Sequence, residues 1–304
     1  MQDPFSDVLE LVGVRSSVYF QKDFLSPWCM SVSNTGFAQF HIIVRGKAVV
    51  THSGETHEVL AGDVVFFPKG ASHLIGDAPE STPMSGQDVI ASMAQGNEPF
   101  AEGGAATRMI CGHFEYDFEC THSLLEDLPH IILLRSADLP AMDHLFGLVQ
   151  LIVRESATDA PGKDVVVRRL SDGLLVTILR AYLETRKQDA GFYRGLADRR
   201  LARAIAAIHS NAGDNLTVGE LAAIAGMSRA SFLHHFKSQV GKSAGAYATH
   251  WKLLKSRAAL RNTADTVETI AHCAGYNSTS AFSRAFRGCF GITPTEFRGQ
   301  GAPD

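Results

Sequence analysis

An internal repeat in the C-terminal third of this 304-residue chain constrains its fold more than any other feature. Residues 221–228 (LAAIAGMS) and 270–277 (IAHCAGYN) both begin with an aliphatic residue and alanine, and both then reach Ala-Gly followed by a large apolar side chain. A small alanine lets two helices cross closely, and glycine accepts the positive φ of a tight turn between them. Each copy therefore predicts a helix-turn-helix, with the two turn glycines, Gly226 and Gly275, 49 residues apart.

Each copy is followed by a segment that predicts the second helix of its unit. Two phenylalanines lie one helical turn apart in both segments: Phe232 with Phe236, and Phe282 with Phe286. We expect these rings to face the core and the small polar and basic side chains to face outwards. Residues 250–260 (HWKLLKSRAAL) are long enough for a connecting helix, so the two units could enter successive major grooves of B-DNA, about 34 Å apart.

The distribution of charge singles out the same region. Residues 1–198 carry 15 basic and 26 acidic side chains, whereas residues 199–304 carry 13 basic and 6 acidic ones, so the net charge of −4 hides a basic C-terminal third. A basic region favours a polyanionic partner, although a solvated helical surface has the same composition. The coincidence of the repeat with this region favours nucleic acid.

The C-terminal third resembles the DNA-binding domain of AraC/XylS-type transcription regulators over about residues 199–298. The motifs that carry the resemblance are GY at 275–276, FSRAF at 282–286, FG at 290–291, TP at 293–294 and FR at 297–298. In that family the second helix of each unit reads bases, which implies double-stranded operator DNA as a partner, and RNA polymerase as well if the protein is an activator. The DNA face that the resemblance implies consists of Ala230, Leu233, His234, Lys237, Thr279, Ser280, Ser283, Arg284 and Arg287.

The chemistry of these side chains suggests different roles within the implied DNA face. A guanidinium at Arg284 can pair bidentately with a guanine edge, whereas Lys237 and Arg287 are expected to hold phosphates. Ala230 and Leu233 are apolar, so the first unit is expected to read thymine methyl groups or DNA shape.

The N-terminal part of the chain predicts antiparallel strands followed by helices. Between residues 37 and 120, short segments rich in valine, isoleucine and phenylalanine alternate with turn residues, as is typical of a sandwich or barrel. Residues 77–106 are rich in glycine, proline, serine and alanine and predict a long loop. From Leu124 the apolar period becomes helical, and a helix around residues 170–182 has an apolar face wider than one stripe. That face either closes the N-terminal domain or forms a homodimer interface.

Residues 62–73 (GDVVFFPKGASH) resemble the second motif of cupin barrels, in which Gly, five residues, Pro-x-Gly and two residues precede a histidine. The resemblance implies that His73 points into the barrel. The first cupin motif is only half present: His41 precedes Gly46, but the His-x-His pair and the glutamate of a catalytic metal site are missing, and Phe40 stands near the position of the acid. Because a divalent ion needs three or four such ligands, neither a metal centre nor a cofactor is expected.

The histidines of this region define a candidate effector pocket. His41 and His73 would line it, joined by Cys111 or His113 from a strand whose register the sequence leaves open. These side chains are either hydrogen-bonded core residues or the lining of a site for a small ligand or a sensed metal. AraC-type regulators often carry a cupin-like effector domain ahead of the DNA-binding part, and the order of the segments here is similar.

The five cysteines have no CxxC spacing and predict neither a disulfide framework nor a cysteine zinc site. Cys29, Cys111 and Cys120 are either packed thiols or an oxidant sensor, because a reactive thiol needs an exposed, electropositive setting. The effector is accordingly an unknown small molecule or a redox signal.

These features predict an α+β protein, with a cupin-like antiparallel β-barrel plus a helical segment followed by an all-α domain of two helix-turn-helix units. The predicted ranges are 1–135 for the effector domain, 136–190 for a helical dimerisation segment, 191–198 for a linker and 199–304 for the DNA-binding domain. The expected function is sequence-specific transcription regulation and not enzymatic catalysis, in the cytoplasm, because neither a basic leader nor a membrane-spanning apolar run is present. The alternatives are a metal-dependent cupin enzyme with a DNA-binding tail and an adaptor whose basic helices bind protein.

Overall fold

The structure is a computed structural model that describes residues 3–116, 123–137, 142–185, 191–213 and 216–300. The strands in the described residues are β1 Arg15–Leu25, β2 Cys29–Val32, β3 Ala38–Arg45, β4 Lys47–His52, β5 Glu55–Leu60, β6 Val64–Phe67, β7 His73–Gly76, β8 Met84–Ser85, β9 Ala106–Glu115 and β10 Ile132–Leu134. The helices are α1 Pro4–Val12, α2 Gly86–Ala94, α3 Ser123–Glu126, α4 Met142–Ser156, α5 Lys163–Thr185, α6 Phe192–Ala197, α7 Arg199–Ser210, α8 Val218–Ala225, α9 Arg229–Val240, α10 Ala244–Asn262, α11 Val267–Cys273, α12 Thr279–Phe290 and α13 Pro294–Gln300.

Contacts divide the chain into two compact units. The sheet unit comprises Val14–Tyr116 and Leu128–Arg186. The helical unit comprises Met1–Gly13, Asp117–Asp127 and Lys187–Asp304. This grouping differs from the sequence-based ranges, chiefly because the first residues of the chain lie with the C-terminal helices. None of the helices in the described ranges is both long and apolar enough to cross a membrane.

The sheet unit is built from two five-stranded sheets that share one apolar core. The strand orders are β1-β9-β3-β6-β10 and β5-β4-β7-β2-β8, and the pairs are antiparallel except for β2 with β8. Strand alternation points one side chain in two towards the core, so both sheets contribute to it, as with Met109 from the first and Val50 from the second. The predicted α+β class and cupin-like antiparallel architecture are confirmed.

The wide apolar face predicted around residues 170–182 belongs to helix α5. The buried face of α5 packs on α4, β1 and β10, so these residues close the sheet unit. The Ser16 hydroxyl on β1 also donates to the Arg168 carbonyl at 2.8 Å and lies 2.8 Å from the Asp172 carboxylate on α5.

A short helix occupies part of the predicted loop 77–106. Helix α2 buries Val89 completely, and Met93 packs against the same core. The Gly, Pro and Ser content of the segment hides this helix in the sequence, because its apolar positions extend over little more than one turn.

The helical unit contains both predicted helix-turn-helix units, and two of its other helices, α6 and α1, were not predicted from the sequence. The predicted linker 191–198 contains helix α6, whose Phe192 and Tyr193 are buried. Two adjacent aromatic side chains gain more from burial in a core than from exposure in a linker, so this segment packs as a helix. Helix α1 packs on α7 and α10 and buries Phe5 and Val8.

Helix α1 meets the helical unit at a buried histidine. His209 of α7 stacks on the Trp251 ring of α10 at 3.7 Å, and its Nε2 lies 2.7 Å from the Tyr247 hydroxyl. Its Nδ1 lies 3.2 Å from a carboxylate oxygen of Asp7 on α1. Burial lowers the pKa of His209 to about 3, so the imidazole is neutral.

Candidate functional site

The two helix-turn-helix units are built with the same local chemistry. The turn glycines Gly226 and Gly275 have φ of 68° and 78°. At Gly275 a Cβ atom would also lie 2.4 Å from the Gly213 carbonyl oxygen, so both φ and space demand glycine there. Ser228 and Ser278 cap the second helices by accepting hydrogen bonds from the backbone N–H groups three residues later.

The inner faces of the second helices hold them to their units. The predicted phenylalanine pairs are Phe232 with Phe236 on α9 and Phe282 with Phe286 on α12, and all four rings are fully buried. The segment predicted as a connecting helix forms part of α10, which packs against both α9 and α12. Each second helix is therefore anchored along one side, and its opposite side is left to solvent.

The outer faces carry the residues that the sequence assigns to DNA. Seven of them are exposed, namely Ala230, Leu233, His234, Lys237, Ser280, Arg284 and Arg287. Thr279 and Ser283 are half-buried. Neither α9 nor α12 contains an aspartate or a glutamate, so the positive charge of these helices is not neutralised from within. Arg229, the first residue of α9, is also exposed. It was not included in the DNA face expected from the sequence, although it is a basic residue of the same predicted helix.

The sheet unit holds a buried chain of polar side chains at the predicted pocket. His41 on β3 and Cys111 on β9 are paired residues of the antiparallel ladder, which resolves the register of that strand. His41 Nδ1 lies 2.8 Å from Cys111 Sγ, and His41 Nε2 lies 2.7 Å from His73 Nε2. His73 Nδ1 lies 2.8 Å from the Ala71 carbonyl oxygen.

The Ala71 carbonyl, at the end of this series of hydrogen-bonded side chains, fixes the direction of each hydrogen bond. The Ala71 oxygen can only accept, so His73 donates from Nδ1 and accepts at Nε2 from His41. His41 then accepts at Nδ1 from the Cys111 thiol. Burial lowers the pKa of His73 to about 4, and burial together with the neighbouring His73 lowers the pKa of His41 well below 6.5. All three side chains are thus neutral and paired, since burial also raises the pKa of Cys111.

A cavity of about 550 Å³ lies beside the hydrogen-bonded side chains of Cys111 and His41. Strands β1, β2, β3 and β9, helix α2 and the segment 33–37 provide its walls. His41 and Cys111 line the cavity, whereas His73 contacts it only through His41. His113 lies outside the lining, where it stacks on Tyr19 at 4.9 Å.

The cavity also contains a residue that was not singled out from the sequence. Gln39 on β3 is 3% exposed and lines the cavity two positions before His41. The signal was present, because a strand places residues i and i+2 on the same face, and two polar residues on an inward face are unusual.

The cysteines of the sheet unit are protonated thiols, and no cluster of metal ligands accompanies them in the described residues. Cys29 and Cys111 are buried, and burial raises the pKa of both thiols. Cys120 lies outside the described residues. Within the described part of the chain, no three His, Cys, Asp or Glu side chains are grouped so that they could hold a metal ion.

Known protein families match both parts of the chain. A cupin family model matches residues 3–184, and a helix-turn-helix domain model matches residues 221–300. The chain is 32% identical over 269 residues to the HTH-type transcriptional regulator MtrA of Neisseria gonorrhoeae, covering 86% of each protein. It is 28% identical over 306 residues to a Streptomyces lividans protein named as an AraC-like transcription regulator, covering 97% of this chain and 98% of that protein. Among solved structures, a transcriptional regulator of the AraC-type DNA-binding domain-containing proteins from Chromobacterium violaceum is 28% identical. The match covers 35% of this chain and 95% of that one, with a TM-score of 0.34.

Proposed function

Because the chain belongs to the family of AraC-like transcription regulators with an N-terminal cupin domain, we propose that its helical unit reads an operator while its sheet unit binds the effector. The chain is a sequence-specific DNA-binding transcription regulator. Its partner is double-stranded DNA.

The proposed DNA surface consists of the outer faces of α9 and α12. One observation carries it: both helices are fixed by a buried phenylalanine pair on one side, and both present a face without carboxylates on the other. Lys237 on α9 and Arg284 on α12 are exposed and have no carboxylate partner within the part of the chain that the structure describes. These two side chains can bind phosphates or guanine without first breaking an ion pair to a carboxylate of the protein.

A matched pair of variants tests this surface. Ala230→Asp and Ser280→Asp add a carboxylate at the second position of α9 and of α12, where a negative charge favours the helix dipole and the fold is kept. Each variant should weaken binding of the full chain to duplex DNA about tenfold or more, because the new charge faces phosphates. Asn97→Asp, exposed in the sheet unit, controls for the change in net charge.

Fluorescence anisotropy with a labelled duplex at several salt concentrations gives the readout. The wild type should lose affinity steeply as salt rises, and Asn97→Asp should bind as the wild type does. Unchanged binding of both face variants, or wild-type binding that does not respond to salt, would contradict the proposed surface and favour an adaptor whose helices bind protein.

The effector site of the sheet unit is proposed to be the cavity beside His41. Its volume lies within the range of about 300 to 1,000 Å³ that small-molecule sites occupy. A small molecule is favoured over an oxidant, because oxidation requires a thiolate and burial keeps Cys29 and Cys111 protonated. Isothermal titration with candidate compounds, beside a titration of the thiols with hydrogen peroxide, distinguishes the two signals.

We do not expect the sheet unit to be an enzyme. Both ring nitrogens of His41 form hydrogen bonds, one with Cys111 and one with His73, so His41 is not free to ligate a metal. The His-x-His pair of a metal cupin is also missing from the sequence. Elemental analysis of the purified chain tests this proposal. Stoichiometric iron or zinc that is lost from a His41→Gln variant would favour the metal-dependent enzyme.

A homodimer is proposed through the outer surface of α4 and α5. Phe146 and Leu151 on α4, and Val165 and Val166 near the start of α5, are large apolar side chains that remain exposed. Exposed apolar surface of this kind is typical of association sites. Sedimentation of the wild type and of a Phe146→Glu variant should show a dimer and a monomer. A monomeric wild type would overturn this part of the proposal.

A further partner and the place of action are expected from the regulatory role. Contact with RNA polymerase is expected if the protein is an activator, and transcription in vitro from an operator-bearing promoter decides the sign of regulation. Operator DNA as the ligand supports the expectation that the protein acts in the cytoplasm.

A further inference from the structure

A buried amide at the cavity of the sheet unit has one polar atom without a partner. Gln39 Nε2 donates to the Thr35 hydroxyl at 2.9 Å and lies 3.5 Å from the Ser33 carbonyl oxygen. Those contacts identify the nitrogen, since a carbonyl oxygen can only accept. Gln39 Oε1 has no hydrogen-bond partner in the described structure, although the side chain is 3% exposed. A buried acceptor in this state is costly, and a ligand that donates to it removes the cost.

The other buried polar groups of the lining are already paired with each other. Cys111 donates to His41, and His41 donates to His73, which lies behind the lining. These groups therefore offer a ligand no free donor or acceptor of comparable burial. The acceptor of Gln39 is the polar group that distinguishes one ligand from another.

The rest of the lining excludes charge. Among the described residues, those that line the cavity include no Asp, Glu, Lys or Arg, and the apolar members are mainly Tyr19, Phe20, Met30, Phe37 and Ile90. An ionised ligand would lose its hydration in this cavity without gaining a counter-charge. An apolar body, in contrast, gains from the removal of its surface from water.

We propose that the cavity binds an uncharged, mainly apolar molecule whose hydroxyl group donates a hydrogen bond to Gln39 Oε1. This inference rests on the proposed effector role of the sheet unit and names the chemical class of the effector. Gln39 is the specificity-determining residue, because its Oε1 accepts a hydrogen bond from a hydroxyl group but forms none with an ether oxygen or a carboxylate at the same place.

Matched probes on two molecular frameworks test the class directly. The aromatic set is 4-phenylphenol, 4-methoxybiphenyl and biphenyl-4-carboxylate, and the linear set is decanol, its methyl ether and decanoate. Each set keeps the apolar body and changes only the polar end: a donor, an acceptor without a proton, or a charge. Binding to the full chain is measured by isothermal titration calorimetry.

Gln39→Leu removes the acceptor while keeping the size of the side chain. Gln95→Leu is the matched control, because Gln95 is exposed at the end of α2 and does not line the cavity. Thermal unfolding checks that both variants fold, and Gln39→Met replaces Gln39→Leu if the leucine variant does not. At least one alcohol should bind roughly tenfold tighter than its ether to the wild type and to Gln95→Leu. The preference should vanish in the Gln39 variant.

The outcomes separate this inference from the proposed function. A carboxylate that binds as tightly as its alcohol, or an alcohol preference that survives in the Gln39 variant, overturns the proposed class and leaves the effector role of the cavity intact. If no probe of any class binds, both the class and the effector role fall. The DNA-binding role is decided separately by the anisotropy titrations of the α9 and α12 variants.

Discussion

The chain of neutral histidines in the sheet unit predicts a loss of stability in mild acid. Unfolded imidazoles take up protons as the pH falls below 6.5, whereas burial lowers the pKa of His73 in the folded state to about 4. Between about pH 6.5 and pH 4 the unfolded state therefore binds more protons than the folded state does, and the free energy of unfolding falls as the pH falls. His41, whose pKa burial lowers well below 6.5, adds a loss of the same sign.

The size of the effect follows from the shift at His73. Between pH 7 and pH 5 an imidazole with pKa values of 6.5 unfolded and about 4 folded costs about 1.8 kcal/mol of stability. His41 increases that figure. A loss of this size is a large part of the roughly 5 to 15 kcal/mol that stabilises an ordinary domain.

Tryptophan fluorescence can report on the sheet unit alone. The chain has two tryptophans, of which Trp28 lies in the core of the sheet unit and Trp251 lies in the helical unit. In a Trp251→Phe background, urea unfolding followed by Trp28 emission gives the free energy of unfolding of the sheet unit at each pH.

The controls concern the two histidines. A His41→Gln, His73→Gln double variant should lose most of the pH dependence, and His144→Gln, exposed on α4, controls for the removal of an imidazole as such. Equal stability of the parent protein at pH 7 and pH 5, or an unchanged loss in the double variant, would refute the reasoning.

Three further predictions concern the helical unit. Arg284→Ala should cost about 1–3 kcal/mol on the operator and relax preference at one base pair, whereas Lys237→Ala should weaken all duplexes alike and lower the salt slope by about one. Equal losses for Arg284→Ala on operator and random duplexes in anisotropy titrations would contradict base reading. Phe286→Ala should cost about 3–5 kcal/mol in urea unfolding, against a change within about 0.5 kcal/mol for exposed Leu233→Ala. Phe5→Ala should cost about 3 kcal/mol and reduce hydrogen-exchange protection in α7, unlike Glu10→Ala on the exposed side of α1, and unaltered protection would refute the stabilising role of α1.

The helix-turn-helix units could be predicted because their determinants are local. A turn glycine, a capping serine and phenylalanines one turn apart all lie within about twenty residues, so one stretch of sequence contains the whole signal. The two C-terminal units follow from Gly226 and Gly275 in this way. The position of α1 could not be predicted, because its partners α7 and α10 lie roughly two hundred residues away and a short amphipathic helix does not identify the surface that it covers.

The effector site was predictable only in part, for a reason of strand geometry. Cys111 and His113 are two residues apart, so alternation places both on the same face of β9 and cannot select the one that reaches His41. The ladder with β3 makes that choice and pairs His41 with Cys111. Gln39 shares the face of His41, but its unpaired oxygen depends on the loop at Ser33 and Thr35, which no periodicity specifies.

The position of α1 on the helical unit has a consequence for biosynthesis. Residues 4–12 leave the ribosome early, whereas α10, on which they pack, is complete only after Asn262. At about 5 to 20 residues per second, the apolar face of α1 stays without its partners for roughly ten to fifty seconds. Nascent chains therefore expose Phe5 and Val8 throughout synthesis of the sheet unit, and a chaperone that holds short apolar helices has a defined interval in which to act.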